Sequence, residues 1–408
     1  MRAAFADFAT ACHSAAAVAW SRDLCGPVVL IDRGTRQAFA NRPDPDGTFT
    51  HSAGVYSGPA PASAPYANTA FAWNGRQWAV IMLPLPERRW STLALLAHES
   101  MHRLQSEQRW DGRDVDNVHL STETGRLWWR LELRALEFAL TTSGPAQRRH
   151  LRAAMAFRRE RQRQHPGSAA AEDALEFFEG TAEYVGQRIA NGAVPLGRLA
   201  TVDAMRSVER APSLVRSAAY ATGPALGLLL DDVAPGWHTA VRTSRSMAAR
   251  LAAAIRAPVH ALPSDSLAAL GAMYGYAGIA DEERARAREQ RATHARLVTL
   301  LVSGPTLTFR QTSASRSFDP NTLIPLDSLG TVYPTGSFEA EWGRLVVSAG
   351  GALLSDDGGM IRVSAAGAAL ADGARGTLGG TGWIVELQDG WTVRTDGRPG
   401  SFVISRAP

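Results

Sequence analysis

The stretch STLALLAHESMHRLQSEQ, residues 91–108, decides how the chain is read. Leu93, Ala97, Ser100, Met101 and Leu104 recur at helical spacing and form one apolar face of an α-helix. His98 and His102 are four apart, so they project together from another face. Two imidazoles one turn apart can reach a single Zn²⁺ at the bond length of roughly 2.0–2.1 Å that zinc requires. Glu99 stands beside them. In a His-Glu-x-x-His arrangement the histidines bind zinc and the glutamate is general base. The metal lowers the pKa of its water towards about 7, and Glu99 takes the proton as the water attacks a carbonyl. The alternative is an ordinary amphipathic helix with two solvent-facing histidines.

A catalytic zinc takes three protein ligands and keeps a fourth position for water. A third histidine six residues after the second, with a glycine midway, is ruled out because Gln105 and Gln108 hold those positions. A carboxylate from another helix is expected instead. In Glu172–Ala190, Leu175, Phe178, Ala182, Val185 and Ile189 make an apolar face, and Glu172, Glu176, Glu179 and Glu183 make an acidic stripe. Like charges at this spacing repel by roughly a few tenths of a kcal/mol per pair in water, and by more where water is excluded. The stripe therefore calls for cations, either arginines from neighbouring helices or a divalent metal.

Glu179-Gly180-Thr181-Ala182-Glu183-Tyr184, downstream of His98-Glu99-Ser100-Met101-His102, resembles the second motif of the gluzincin metallopeptidases of the MA clan. The resemblance implies a zincin-like fold and a Zn²⁺ held by His98, His102 and Glu179, with Glu183 hydrogen-bonded to a zinc-binding histidine. A carboxylate on the far ring nitrogen fixes the tautomer and raises the basicity of the ligand. Glu176, one turn earlier, is the rival third ligand. The resemblance covers two short motifs. Arg103 follows the second histidine, where the clan usually has an uncharged residue. The Gly-x-Met-Glu-Asn segment that aminopeptidases of the clan use to hold a substrate amino terminus is absent, so exopeptidase action has no support. The expected activity is hydrolysis of a peptide or protein substrate. The alternatives are a non-catalytic peptidase-like binding protein and a zinc hydrolase of another amide or ester.

Other residues are weighed beside these. Tyr220 ends the mostly apolar stretch Ser213–Tyr220, just before Gly223-Pro224, where proline breaks one helix or opens the next. Its phenol is a candidate oxyanion donor, or a core tyrosine with a satisfied hydroxyl. His119 and His238 are alternative donors. Trp78–Leu83 precedes the histidine helix. From the resemblance it is an edge strand that pairs with extended substrate; otherwise it is a plain sheet strand.

The 408 residues divide into three regions of an α+β protein: an N-terminal β-containing subdomain (1–90), a large helical catalytic region (91–300) and a small all-β domain (301–408). In the first, Val28–Ile31 reads as a buried strand. Phe71–Leu83 reads as a hairpin turning at Asn74-Gly75, and residues 41–65 as a loop. Helices are expected near 91–108, 122–141, 146–164, 171–191, 198–209, 213–233, 236–255 and 281–300. In the last region, short apolar runs alternate with glycine turns without a convincing repeat, and Trp383 and Trp391 read as core in preference to a carbohydrate platform.

Hydrophobic residues make up 45% of the chain, enough for a sizeable core, and the formal charge is +4. Every one of the 43 basic residues is arginine, a compositional bias more than a function. The arginines crowding 148–163 lie near acidic stretches, and a nucleic-acid groove would want a broader basic surface with interleaved aromatics, so a solvated face or partners for the glutamate stripe are expected, not nucleic acid. No apolar run reaches the roughly 20 residues of a membrane helix. Residues 1–20 make a poor signal peptide. Cys12 and Cys25 either pair or remain two free thiols, and the compartment stays open.

Overall fold

The computed structural model describes all residues except 15–19, 21–23, 111–114, 192–193, 241–244, 259, 261, 311–314, 320–321 and 408. The chain is a mixed α+β protein of two compact units, Met1–Arg284 and Ala285–Pro408.

The first unit holds a six-stranded sheet of β1 (Val28–Asp32), β2 (Gln37–Ala40), β3 (Thr50–Ser52), β4 (Val55–Pro59), β5 (Thr69–Trp73) and β6 (Arg76–Leu83). The strand order is β3-β4-β2-β1-β6-β5, and only β1 and β6 run parallel. Val28–Ile31 is a continuous apolar run because both faces of β1 are covered. Val28 and Leu30 join Ala79 and Ile81 in the core shared with the helices, whereas Val29 and Ile31 pack with Trp73, Trp78 and Val80 on the opposite face. The β5–β6 hairpin turns at Asn74 (φ 45°) and Gly75 (φ 77°), the paired positive angles expected of Asn-Gly. Residues 41–65 are not a plain loop, since β3 and β4 lie within them and extend the sheet past β2.

The helices of this unit are α1 (Arg2–Ala11), α2 (Arg89–Glu107), α3 (Glu123–Leu140), α4 (Gly144–Gln164), α5 (Ser168–Leu175), α6 (Thr181–Asn191), α7 (Val194–Glu209), α8 (Ala218–Val233), α9 (Met247–Ala254) and α10 (Ser264–Ala272), with α11 (Tyr276–Val298) containing the division between the units. The Thr122 hydroxyl caps α3 by accepting from Gly125 N, and a proline in its first turn starts α4. The amphipathic α1 buries Phe5 and Phe8. The residue that ends it, Cys12, is bonded to Cys25, so the two cysteines are a disulfide and not free thiols.

Three helical expectations change. Pro224 neither opens nor closes a helix but lies inside α8, where it removes the N–H that would have bonded the Tyr220 carbonyl. The expected helix 236–255 is a 3₁₀ turn, Trp237–Ala240, followed by α9, with residues 241–244 outside the described set. The expected helix 171–191 is α5 and α6 joined by a π-helical turn, Glu176–Gly180.

The second unit opens with β7 (Thr306–Arg310), β8 (Ser315–Ser317), β9 (Ile324–Pro325) and β10 (Thr331–Tyr333) and contains a seven-stranded sheet and a five-stranded sheet that share one core, including Phe309, Trp342, Leu345, Trp383, Val385 and Ile404. Two pairs of consecutive hairpins share one arrangement. The hairpin β11–β12 (Gly336–Ala340, Gly343–Val347) is followed by β13–β14 (Ala352–Leu354, Met360–Ser364). The hairpin β15–β16 (Thr377–Gly380, Trp383–Leu387) is likewise followed by β17–β18 (Trp391–Thr395, Phe402–Arg406). Each half gives its first hairpin to the five-stranded sheet and its second to the seven-stranded sheet. Trp383 is core, while Trp391 is half-buried beneath the Arg406 guanidinium. Among the described residues no helix is long and apolar enough to cross a membrane.

Candidate metal centre

Every residue of α2 from Leu96 to Gln105 is buried. Ala97, Ser100, Met101 and Leu104 supply the expected apolar face, but the histidine face is covered as well, by α6 and the π turn before it. His98 and His102 are each 8% exposed, which excludes two solvent-facing histidines. Glycines set these approaches. A Cβ on Gly186 of α6 would sit 2.8 Å from the Ala94 carbonyl of α2. A Cβ on Gly223 of α8 would lie 2.2 Å from the Gly180 Cα, and one on Gly227 would enter the Tyr184 ring.

The result is a cluster of three ligand-type side chains, His98, His102 and Glu179, whose donor atoms lie within 4.8 Å of one another. His98 Nε2 and His102 Nε2 are 3.1 Å apart. Glu179 Oε2 lies 3.5 Å from the first and 3.3 Å from the second. The far ring nitrogens have separate partners. His98 Nδ1 meets Glu183 Oε2 at 3.1 Å, and His102 Nδ1 meets Gln105 Oε1 at 2.9 Å. Tyr220 donates its hydroxyl to Glu179 Oε2 at 2.7 Å. Phe178 packs on the His102 ring.

The electrostatics favour a cation. Burial alone would keep His98 neutral, yet its hydrogen bonds with Glu179 and Glu183 prevail and push its pKa up to about 10. Burial likewise raises Glu179, but hydrogen bonds with His102 and His98 hold it far below the ordinary carboxylate range. Glu99 is pushed up, first by burial and then by the Glu179 charge, against the pull of both histidines. Its Oε2 is buried without a hydrogen-bond partner among the described residues. A buried carboxylate oxygen is costly to leave unpaired.

The acidic stripe divides in two. Glu179 and Glu183 face the histidines. Glu176 is not in the cluster: Arg158 holds it at 2.9 and 2.5 Å, and Thr222 Oγ1 donates to it at 2.6 Å. Glu172 is paired with Arg161 at 2.6 and 2.9 Å and with His119 Nε2 at 2.7 Å. The stripe thus carries arginine-paired carboxylates and ligand-type carboxylates along one helical segment. His119 is committed to Glu172, and His238 packs against Trp20 and Trp237, so neither joins the cluster. Arg103 is buried away from it, with Glu107 and the Leu24 carbonyl as partners.

Trp78–Leu83 is not an edge strand. It belongs to β6, an interior strand that pairs with β1 over Ala79–Leu83 and with β5 over Arg76–Val80. The sheet edge nearest α2 is β5, one strand further out, and it too contacts α2.

Two features carry no sequence expectation. In the sequence Gln105 serves only to exclude a third histidine pattern, whereas in the structure it links His102 to the π turn: its Nε2 lies 3.1 Å from both Phe177 O and Phe178 O. The other is the close approach of Gly180 to Gly223, for which the Gly223-x-x-x-Gly227 spacing was the available signal. No protein-family model, curated protein or solved structure matches the chain.

Proposed function

We propose that the chain is a zinc-dependent hydrolase of peptide bonds, with a zincin-like arrangement in its first unit. The observation that carries the reading is the convergence of His98 Nε2, His102 Nε2 and Glu179 Oε2 next to Glu99 Oε2, which has no hydrogen-bond partner among the described residues. Two nitrogens and one carboxylate oxygen are a ligand set of catalytic zinc sites. Tetrahedral ligands about 2.05 Å from a zinc ion stand about 3.3 Å from each other. The three separations here are 3.1, 3.3 and 3.5 Å. The residues fit the ion.

Bound zinc supplies a Lewis acid that polarises a carbonyl and acidifies a water. His98, His102 and Glu179 hold it, with Glu183 and Gln105 orienting the two rings. Glu99 accepts the water's proton at Oε2 and delivers it to the leaving amine. The Tyr220 phenol, whose pKa burial and the Glu179 charge both raise, stays protonated and is the donor for the developing oxyanion. A peptide is favoured over other amides by β5, an edge strand on the same helix, whose open side can pair with an extended backbone. The Cys12–Cys25 disulfide fits an oxidising compartment.

The test is metal content by elemental mass spectrometry, beside peptide-library cleavage. One zinc per chain is expected in the wild type and in Glu176→Gln, and none in His98→Ala or Glu179→Ala. Glu99→Gln should retain zinc and cleave nothing. Full activity in Glu99→Gln would sink the mechanism, and a wild type without zinc would sink the site.

A further inference from the structure

We propose that Gln105 is a positioning residue for the metal, one side chain that fixes both the tautomer of His102 and the backbone turn that presents Glu179. This rests on the reading of His98, His102 and Glu179 as ligands.

Gln105 lies three positions after His102 on α2 and is 1% exposed. Its amide nitrogen is 3.1 Å from Phe177 O, 3.1 Å from Phe178 O and 2.9 Å from Thr181 Oγ1. Its oxygen is 2.9 Å from His102 Nδ1. The chemistry of these partners leaves one arrangement. Backbone carbonyls only accept, so the NH₂ end must face the π turn. Thr181 commits its own proton to Phe177 O, which leaves its oxygen free to accept from the amide. The oxygen end of Gln105 then faces His102, and it too can only accept. His102 must therefore carry a proton on Nδ1, and Nε2 is the ring nitrogen turned towards His98 and Glu179.

The π turn is the other half of the device. A turn of Glu176–Gly180 in α-helical form would direct its carbonyls along the helix axis into the regular ladder. The π form is wider and leaves carbonyls for an outside donor, a distortion that recurs at functional sites. Glu179 lies within this turn, so the side chain that satisfies Phe177 and Phe178 also holds the backbone of the third ligand. The two histidines are consequently supported by different chemistry. A carboxylate, Glu183, backs His98, and a neutral amide backs His102. Only the amide can serve the ring and the carbonyls together, because a carboxylate has no proton for the carbonyls.

The experiment compares Zn²⁺ affinity, by chelator competition, in the wild type, Gln105→Met and Gln105→Glu, with thermal melts of each zinc-free protein. Ring ¹⁵N NMR of His102 in the wild type reports its tautomer directly and needs no variant. The expected results are the Nδ1–H tautomer in the wild type and zinc weakened about 10- to 100-fold in Gln105→Met. Gln105→Glu should not rescue binding, although it keeps an acceptor for Nδ1. A His102 Nδ1 that carries no proton would overturn the inference. So would zinc affinity within twofold of wild type in either variant. A wild type that binds no zinc overturns the ligand reading itself, and is told apart because it fails before any variant is compared.

Discussion

The hydroxyl of Tyr220 donates to Glu179 Oε2, the same oxygen that faces both histidine nitrogens, and the Tyr220 ring lies parallel to His98 within 2° at a centroid distance of 6.0 Å. A phenol in that position can either hold the carboxylate or turn to an oxyanion. Tyr220→Phe separates the two. We expect zinc affinity to change less than about tenfold and kcat to fall about 10²-fold, as for loss of an oxyanion donor. Both are read on one preparation, by chelator competition and by cleavage of the best library peptide at saturating zinc. A large loss of zinc with kcat intact would make Tyr220 a support for Glu179 and nothing more.

The contact that brings Tyr220 to Glu179 is glycine on glycine. Alanine is favoured over glycine inside a helix by about 1 kcal/mol, so Gly223→Ala at an open site would stabilise α8. Here the new methyl would meet the Gly180 Cα at 2.2 Å, a backbone atom that cannot rotate aside. We expect a net destabilisation of about 1–3 kcal/mol and weaker zinc binding as α8 is pushed off the π turn. Gly197→Ala in α7 is the control: its Cβ would meet nothing closer than 3.9 Å, and it should be neutral or stabilising. Urea midpoints of the two variants decide the matter, and equal midpoints would mean that the helices are not packed this tightly.

What the sequence disclosed and what it concealed follow from the range of the interactions. His98, Glu99 and His102 were legible because their geometry is local to one helix. The four glutamates were legible as a stripe but not as two pairs. Their partners come from α2 and α4, and the π turn at Glu176–Gly180 breaks the regular 3.6-residue period that a stripe assumes. In the sequence Gln105 only excludes a third histidine pattern, and its neighbours Phe177 and Phe178, far along the chain, give it a role. Trp78–Leu83 was correctly a strand, but edge or interior is decided by where β5 folds back. The like-arranged hairpins of the second unit leave no sequence repeat, because alternation and turns suffice to form a hairpin without repeating its residues.

The other half of the glutamate stripe makes a prediction of its own. Arg161 is fully buried and touches Glu132 at 2.7 Å and Glu172 at 2.6 Å, while Arg158 joins Glu132 at 2.6 Å and Glu176 at 2.5 Å. Burial alone would raise the Glu172 pKa, but the charge and hydrogen bonds of Arg161 prevail and hold it well below its ordinary value of 4.5. The unfolded chain therefore takes up this proton more readily than the folded chain. The stabilisation is fully present above about pH 4.5 and is lost as the pH falls below it. Arg161→Met should cost about 3–5 kcal/mol at neutral pH, because it leaves Glu132 and Glu172 buried with one guanidinium fewer. Protonating Glu172 relieves that excess charge. The gap between wild type and variant should accordingly narrow as the pH drops from 7 towards 3, as read by urea unfolding at each pH. A gap that stays constant with pH would show that Arg161 contributes packing and not charge, and that the metal-side and arginine-side halves of the stripe are not distinguished by their electrostatics.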